Sequence, residues 1–322
     1  MKKLRLLIAS LATMLLGTFL LPTMAGAAST VVYNNIPSPT PGNVSSQAFE
    51  ATQTSEFGGQ VMFGGTDRTN PKVTVLMSSW GCQTGHWTSG DCNTTVGATF
   101  SEPITLNVYN VGSGNAPGTL LATTTQTFNI PFRPSANNVS CTGANAGKWS
   151  DGTTCFNGFA TPISFDLTGV TLPSKVIISV AYNTTHYGYN PIGATACSAT
   201  LAGCGYDSLN VGVDSALTVG SYPLPADAYL NSSTGGQYCV SDQTTTGTFR
   251  LDTGCWTGFQ PAFKVEASAP LVGPATDKDQ CKGDGWKVFN NPTYKNQGDC
   301  VSAVASNGKA KGNPVLANHP TF

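Results

Sequence analysis

The sequence predicts an all-β fold: an antiparallel two-sheet sandwich, jelly-roll-like in topology, with disulfide-stapled loops and a small helical C-terminal motif. Three observations predict it. Apolar residues recur with a period of two, no amphipathic helix separates the apolar segments, and ten cysteines fall into five short-range pairs.

The chain opens with Lys2, Lys3 and Arg5 ahead of an apolar run from Leu6 to Leu21. Pro22 breaks the run, and Ala25 and Ala27 then stand in the A-x-A relation of a signal-peptide cleavage site. Residues 1–27 therefore read as a secretory leader. The run is short for a span and is diluted by Ser10 and Thr13. No other apolar stretch reaches membrane length, and no cysteine follows the leader to carry a lipid. The expectation is a secreted or cell-surface protein with no membrane span in the mature chain.

Residues 28–267 form the expected sandwich domain. Val73, Val75 and Met77 alternate with Lys72, Thr74 and Leu76, as do Ile104, Leu106 and Val108 with Thr105, Asn107 and Tyr109. The pattern returns at Ile163, Phe165 and Leu167, at Val176, Ile178, Val180 and Tyr182, and at Phe263 and Val265. The threonine-rich run Thr119 to Ile130 reads as a long strand following the turn-forming residues Gly112 to Gly118. Parallel strands need long, usually helical, crossovers, and none is apparent here, so antiparallel sheets are expected. One large sandwich is the first reading and two smaller ones the alternative.

The cysteines are separated by 10, 14, 7, 16 and 19 residues within successive pairs and by 49, 42, 35 and 26 between them. This spacing suggests five staples: Cys82 with Cys92, Cys141 with Cys155, Cys197 with Cys204, Cys239 with Cys255 and Cys281 with Cys300. Spacing alone does not establish connectivity. An oxidising compartment follows from this usage, in agreement with the leader.

Residues 268–276, with Pro270 and Pro274 among small residues, read as a linker. Residues 277–305 follow as a stapled motif too small to fold on an apolar core alone, held by one disulfide, Trp286, Phe289 and two helical turns. Residues 306–322 read as a disordered tail. Loss of the leader leaves 13 basic against 17 acidic residues, a net charge of −4. Residues 28–276 carry 7 basic and 13 acidic groups, whereas 277–322 carry 6 and 4. Without a clustered basic surface, nucleic acid is not an expected partner.

The tail pattern from Asp277-Lys278-Asp279-Gln280-Cys281 through Trp286 to Lys295-Asn296-Gln297-Gly298-Asp299-Cys300 resembles a short cysteine-stapled motif at the C-terminus of exported bacterial proteins. Asn35 to Pro39, Thr105 to Tyr109, Thr125 to Pro131, Ala181 to Thr184 and Phe249 to Gly254 resemble segments of a secreted bacterial β-sandwich family that often carries this motif. The resemblance implies export and this domain order. That family has no assigned activity, so it transfers no catalytic residue.

Catalytic grammar is sparse. No G-x-S-x-G elbow, H-E-x-x-H or phosphate loop occurs, and the histidines number three: His86, His186 and His319. The glutamates are Glu50, Glu56, Glu102 and Glu266, the first two in a segment that reads as an edge strand, and no pair of carboxylates is singled out for glycoside hydrolysis. Whether the chain is an enzyme stays open, with the balance toward a binding protein. Asp277 and Asp279 fail as a calcium loop because Lys282 and Val288 occupy the positions of the required glycine and bidentate acid. No cofactor is expected, and a structural calcium between sandwich loops stays open.

The positive signal is aromatic. Trp87 lies between Cys82 and Cys92, Trp149 between Cys141 and Cys155, and Tyr187 and Tyr189 in a third loop, each among Gly, Ser, Thr, Asn or Asp. Sugar rings expose apolar C–H faces and polar rims, so a flat aromatic surface with hydroxyl and carboxylate neighbours suits them. Trp87, Trp149, Tyr187 and Tyr189 are the expected stacking residues, and Asp151 and His186 their polar partners. The expected partner is an extracellular glycan or cell-wall polymer. The alternatives are an adhesive surface protein with a protein partner, in which both Trp side chains are buried, and a polysaccharide-cleaving enzyme. Trp80 and Trp256, close to cysteines, read as packing residues.

Overall fold

The computed structural model describes residues 29–50, 52, 54–183, 209–214, 216–232, 247–270 and 272–308. The chain divides into two compact units at Leu271/Val272.

The first unit is the sandwich. Its strands in chain order are β1 (Ser29–Asn34), β2 (Ser46–Gln47), β3 (Thr54–Met62), β4 (Thr69–Ser79), β5 (Thr99–Val111), β6 (Pro117–Pro131), β7 (Trp149–Ser150) and β8 (Cys155–Phe156). They continue as β9 (Phe159–Asp166), β10 (Lys175–Ala181), β11 (Leu209–Asp214), β12 (Ala228–Ser232), β13 (Arg250–Asp252), β14 (Gln260–Pro261) and β15 (Phe263–Ser268). A seven-stranded sheet runs β1-β15-β4-β11-β14, with β2 on β11 and β9 on β4. A six-stranded sheet runs β13-β12-β3-β10-β5-β6, and β7 and β8 form a separate ribbon. All pairings between these strands are antiparallel. Successive strands pass back and forth between the sheets, as a jelly-roll-like sandwich requires. A single apolar cluster fills the space between them, so one sandwich forms rather than two.

The period-two residues meet across that interior. Val73, Val75 and Met77 of β4, Ile104, Leu106 and Val108 of β5, and Val176, Ile178 and Val180 of β10 are all fully buried. At about 25 cal/mol per Å² of apolar surface removed from water, each of these side chains contributes roughly 1.5–3 kcal/mol. Phe128 of β6 meets Phe165 of β9 edge-on at 5.0 Å where the two sheets approach. Trp256 is sealed against Phe57 at 5.3 Å and donates its indole N–H to Asp252 Oδ2 at 2.9 Å, so this buried Trp does act in packing.

Three features depart from simple alternation. Leu76, on the other face of β4, is fully buried with Ala160 and Ala262 because Ile36 and Val44 pack over it. Glu102 continues the inward row of β5 and is buried. The segment holding Glu56 is no edge: β3 lies between β12 and β10. The edges of that sheet are instead β13 and β6, the latter pairing only with β5 among the described residues.

The second unit begins at Val272. Asp277 caps a 3-10 turn over Lys278–Cys281 in a reciprocal capping box with Gln280, and a second 3-10 turn covers Gly285–Val288. Helix α1 (Gln297–Ala305) is capped by Asn296, which accepts from the Asp299 N–H at 2.9 Å. Two helical turns were expected, and the capped Asn296 start adds this third element. Cys281–Cys300 joins the first turn to α1 over a small core of Phe289, Tyr294 and Ala303. Ser306 and Gly308, expected in the tail, close α1 through N–H bonds to Ser302 and Ala303 carbonyls. Residues 1–28, with the expected leader, and residues 309–322, with most of the tail expected to be disordered, lie outside the described residues. No helix among the described residues is long and apolar enough to cross a membrane.

Candidate functional site

Two of the loops expected to carry the site, those holding Trp87 and Trp149, are closed by disulfides and meet on one segment. The segment that leaves β6 reaches Arg133, which is fully buried. Arg133 donates its backbone N–H to the Gly81 carbonyl at 2.9 Å and Nη2 to the Gly147 carbonyl at 3.0 Å. Ala136 then donates to Cys92 O at 2.9 Å and Asn137 to Lys148 O at 2.8 Å. One segment thus ties together the loop closed by Cys82–Cys92 and the loop closed by Cys141–Cys155. The two loops touch at Gly90 and Gly147. Both have positive φ, and a Cβ on Gly147 would stand 2.5 Å from Gly90 Cα, so only glycine permits this approach.

The two tryptophans fare differently. Trp87 is half-buried and stands edge-on against Trp80, also half-buried, with ring centroids 4.6 Å apart. Trp80 in turn donates Nε1 to Ser78 Oγ at 3.0 Å. Trp149 does not belong to the surface. It is 6% exposed, lies on the β7–β8 ribbon between Phe156 and Phe159 with centroids at 5.1 and 5.5 Å, and donates Nε1 to the Gly158 carbonyl at 2.6 Å. Its indole is the centre of a local core, so it offers no face for stacking. Trp80, read from the sequence as a packing residue, packs edge-on against the half-buried Trp87.

The two loop carboxylates, by contrast, are held alike. Asp151 Oδ1 accepts from Thr153 N, Thr153 Oγ1 and Thr154 N, each at 2.8 Å, which makes it a turn-forming residue. The Thr154 and Thr153 donors hold its carboxyl below the ordinary range. Asp91, missed from the sequence although it shares the loop with Trp87, accepts from His86 N at 2.8 Å and Ser89 Oγ at 2.6 Å. These donors, His86 foremost, hold Asp91 below its ordinary value as well. Both bonds fall on Oδ1, and Oδ2 of this exposed residue accepts none from the described residues. The rim therefore brings Trp80, Trp87 and the ionised Asp91 into one stapled loop and its stem.

Tyr187, Tyr189 and His186, with Cys197, Cys204 and Cys239, lie outside the described residues. Cys255 is disulfide-bonded as well, to a cysteine outside them.

A second constellation was not anticipated. On the outward face of the six-stranded sheet, Glu56 Oε1 accepts from Ser179 Oγ at 2.6 Å, Tyr109 Oη at 2.9 Å and Asn107 Nδ2 at 3.0 Å. Burial, and after it the Glu56 charge, push the Tyr109 hydroxyl well above its usual range, so it stays a donor. None of these partners is a second carboxylate. Among the described residues no group of three His, Cys, Asp or Glu is placed to hold a metal ion.

No protein-family model matches this sequence, and no curated protein matches it. Among solved structures, the crystal structure of dimeric latent PorU from Porphyromonas gingivalis aligns with 76% of this chain and 22% of its own length, at 11% identity and a TM-score of 0.23. The chain thus spans about a fifth of that protein, a likeness too distant to bear on function.

Proposed function

We propose that the chain is an exported, non-enzymatic β-sandwich that binds extracellular or cell-surface carbohydrate at its stapled rim. The observation that carries the reading is the Trp87–Trp80 pair: a half-exposed indole braced edge-on by a second one, in a loop closed by a disulfide. A ring stacked on Trp87 buries C–H surface against the indole, while Asp91 Oδ2 accepts a sugar hydroxyl. The crosslinked loop is already ordered, which lowers the entropy cost of binding. The leader and the disulfides support the extracellular placement.

A glycan array and a cell-wall pulldown with wild type and Trp87→Ala test this. Binding is expected to fall at least tenfold in the variant. No binding by the wild type, or equal binding by both, refutes the reading. Trp149→Ala is unsuitable as a probe because it removes a buried side chain.

A second reading, a surface protein that pairs with another protein, is favoured by β6. This 15-residue edge strand carries no charged residue to discourage pairing, and its prolines stand at or next to its ends. That reading predicts concentration-dependent association, lost in Thr127→Lys and measured by analytical ultracentrifugation.

A further inference from the structure

We propose that the outward face of the six-stranded sheet holds a separate site for an amino sugar, whose ammonium group is received by Glu56. This site lies on a different part of the fold from the rim and does not depend on the reading given to Trp87.

Three observations carry it. First, hydrogen bonding is lopsided. Three side chains from two neighbouring strands, β10 and β5, converge on Oε1, while Oε2 of this half-buried residue accepts nothing from the described residues. Second, the donors near it are already engaged. Ser179 and Tyr109 give their hydroxyl protons to Oε1, and Thr123 gives its own to Asn107 Oδ1 at 2.8 Å. Ser179 is fully buried, so what the Tyr109 and Thr123 hydroxyls still present is lone pairs, and a ligand has to bring the protons. Among the described residues Glu56 forms no ion pair, and the donors it receives from them are neutral. A cationic donor therefore complements it better than a neutral hydroxyl does.

Third, the surroundings suit a ring bearing hydroxyls. Tyr109 stacks on Phe249 at 5.4 Å, both half-buried, with the fully buried Tyr229 6.0 Å from Phe249, giving an aromatic flank beside the carboxylate. An ammonium group gains from the π faces of such rings as well as from the charge. On the other side, Thr105 and Thr125 join their hydroxyls at 2.8 Å, and Thr123 and Thr125 are exposed. Residues at i and i+2 of a strand stand about 6.8 Å apart, and those on paired strands about 4.8 Å apart. These spacings set out a row of hydroxyls on the scale of a pyranose.

The test is titration calorimetry at fixed ionic strength near physiological, with three probes: a glucosamine oligomer, the same oligomer N-acetylated, and lysine amide. The glucosamine oligomer is expected to bind at least tenfold more tightly than the other two. Glu56→Gln keeps the volume and an accepting oxygen while removing the charge, and is expected to weaken binding at least tenfold. Asp166→Asn, at an exposed carboxylate elsewhere on the sandwich, is expected to bind as wild type.

No saturable binding overturns the proposal, as does equal affinity for the acetylated oligomer or an unchanged affinity in Glu56→Gln. Lysine amide binding as tightly as the oligomer overturns the sugar assignment. Equal losses in Glu56→Gln and Asp166→Asn would show a diffuse charge effect and overturn the site. Loss in Trp87→Ala with retention in Glu56→Gln would place binding at the rim alone, sinking this proposal while leaving the rim reading intact.

Discussion

Glu102 offers the most quantitative test of the fold. It continues the inward row of β5 ahead of Ile104, Leu106 and Val108 and is fully buried. Burial pushes its carboxyl from an ordinary 4.5 up to about 8. Below pH 4.5 the group is protonated in both the folded and unfolded chain and contributes no pH dependence. Between 4.5 and 8 the unfolded chain releases the proton while the folded chain keeps it, so stability falls as pH rises. Above 8 both states are ionised and the curve flattens. At about 1.4 kcal/mol per pH unit, the full window amounts to about 5 kcal/mol as an upper bound. Local relaxation around the ionised group reduces the expected loss to roughly 2–4 kcal/mol. Glu102→Gln removes the titration and keeps the shape. Urea denaturation of both proteins at pH 4.5, 6 and 8 reads the effect: the stability of wild type relative to Glu102→Gln should decline steadily across the series. Parallel pH profiles for the two proteins would refute the argument that this acid is held protonated inside the sandwich.

Three further outcomes follow from particular contacts. Trp149→Ala empties the local core on the β7–β8 ribbon and orphans the Gly158 carbonyl, and should cost about 3–5 kcal/mol in chemical denaturation; a loss under 1 kcal/mol would contradict its burial. Replacing Cys141 and Cys155 by serine opens a loop spanning 14 residues, with an expected loss of about 3 kcal/mol in the chain-entropy picture. The same replacement should expose Trp149 to a fluorescence quencher, and an unchanged midpoint would exclude the staple as a source of stability. In the C-terminal unit, Asn296→Ala removes the cap of α1 and should cost about 1 kcal/mol, read as faster amide exchange over residues 297–305.

Side-chain alternation alone determined much of this architecture. Inward rows such as Val73-Val75-Met77 and Ile104-Leu106-Val108 were legible because a strand's period is local: one residue in two must leave water, whatever the strand's neighbours. The staples Cys82–Cys92, Cys141–Cys155 and Cys281–Cys300 were legible for the same reason, since short loops bring their ends together without help from the rest of the chain. Strand order was not. β3 reads as an edge and lies inside a sheet, and Leu76 reads as outward-facing yet is covered by Ile36 and Val44, because both outcomes depend on segments distant in sequence.

The candidate sites divide along the same line. Trp87 and Trp149 are equivalent in sequence, each one tryptophan in a polar, glycine-rich, disulfide-closed loop. What separates them is burial and the partners each meets: Phe156 and Phe159 enclose the buried Trp149, while the half-buried Trp87 meets Trp80 edge-on. Asp91 and Asp151 are held alike, each by donors of its own loop folding back onto Oδ1. Glu56 owes its setting to Asn107, Tyr109 and Ser179, residues 51 to 123 positions away, so no local pattern announces it. Local spacing thus determined the strands, the crosslinks and the loops rich in aromatic residues. Tertiary packing alone decided which polar and aromatic groups are spent inside the fold and which are left at its surface, since that depends on contacts between residues far apart in the chain.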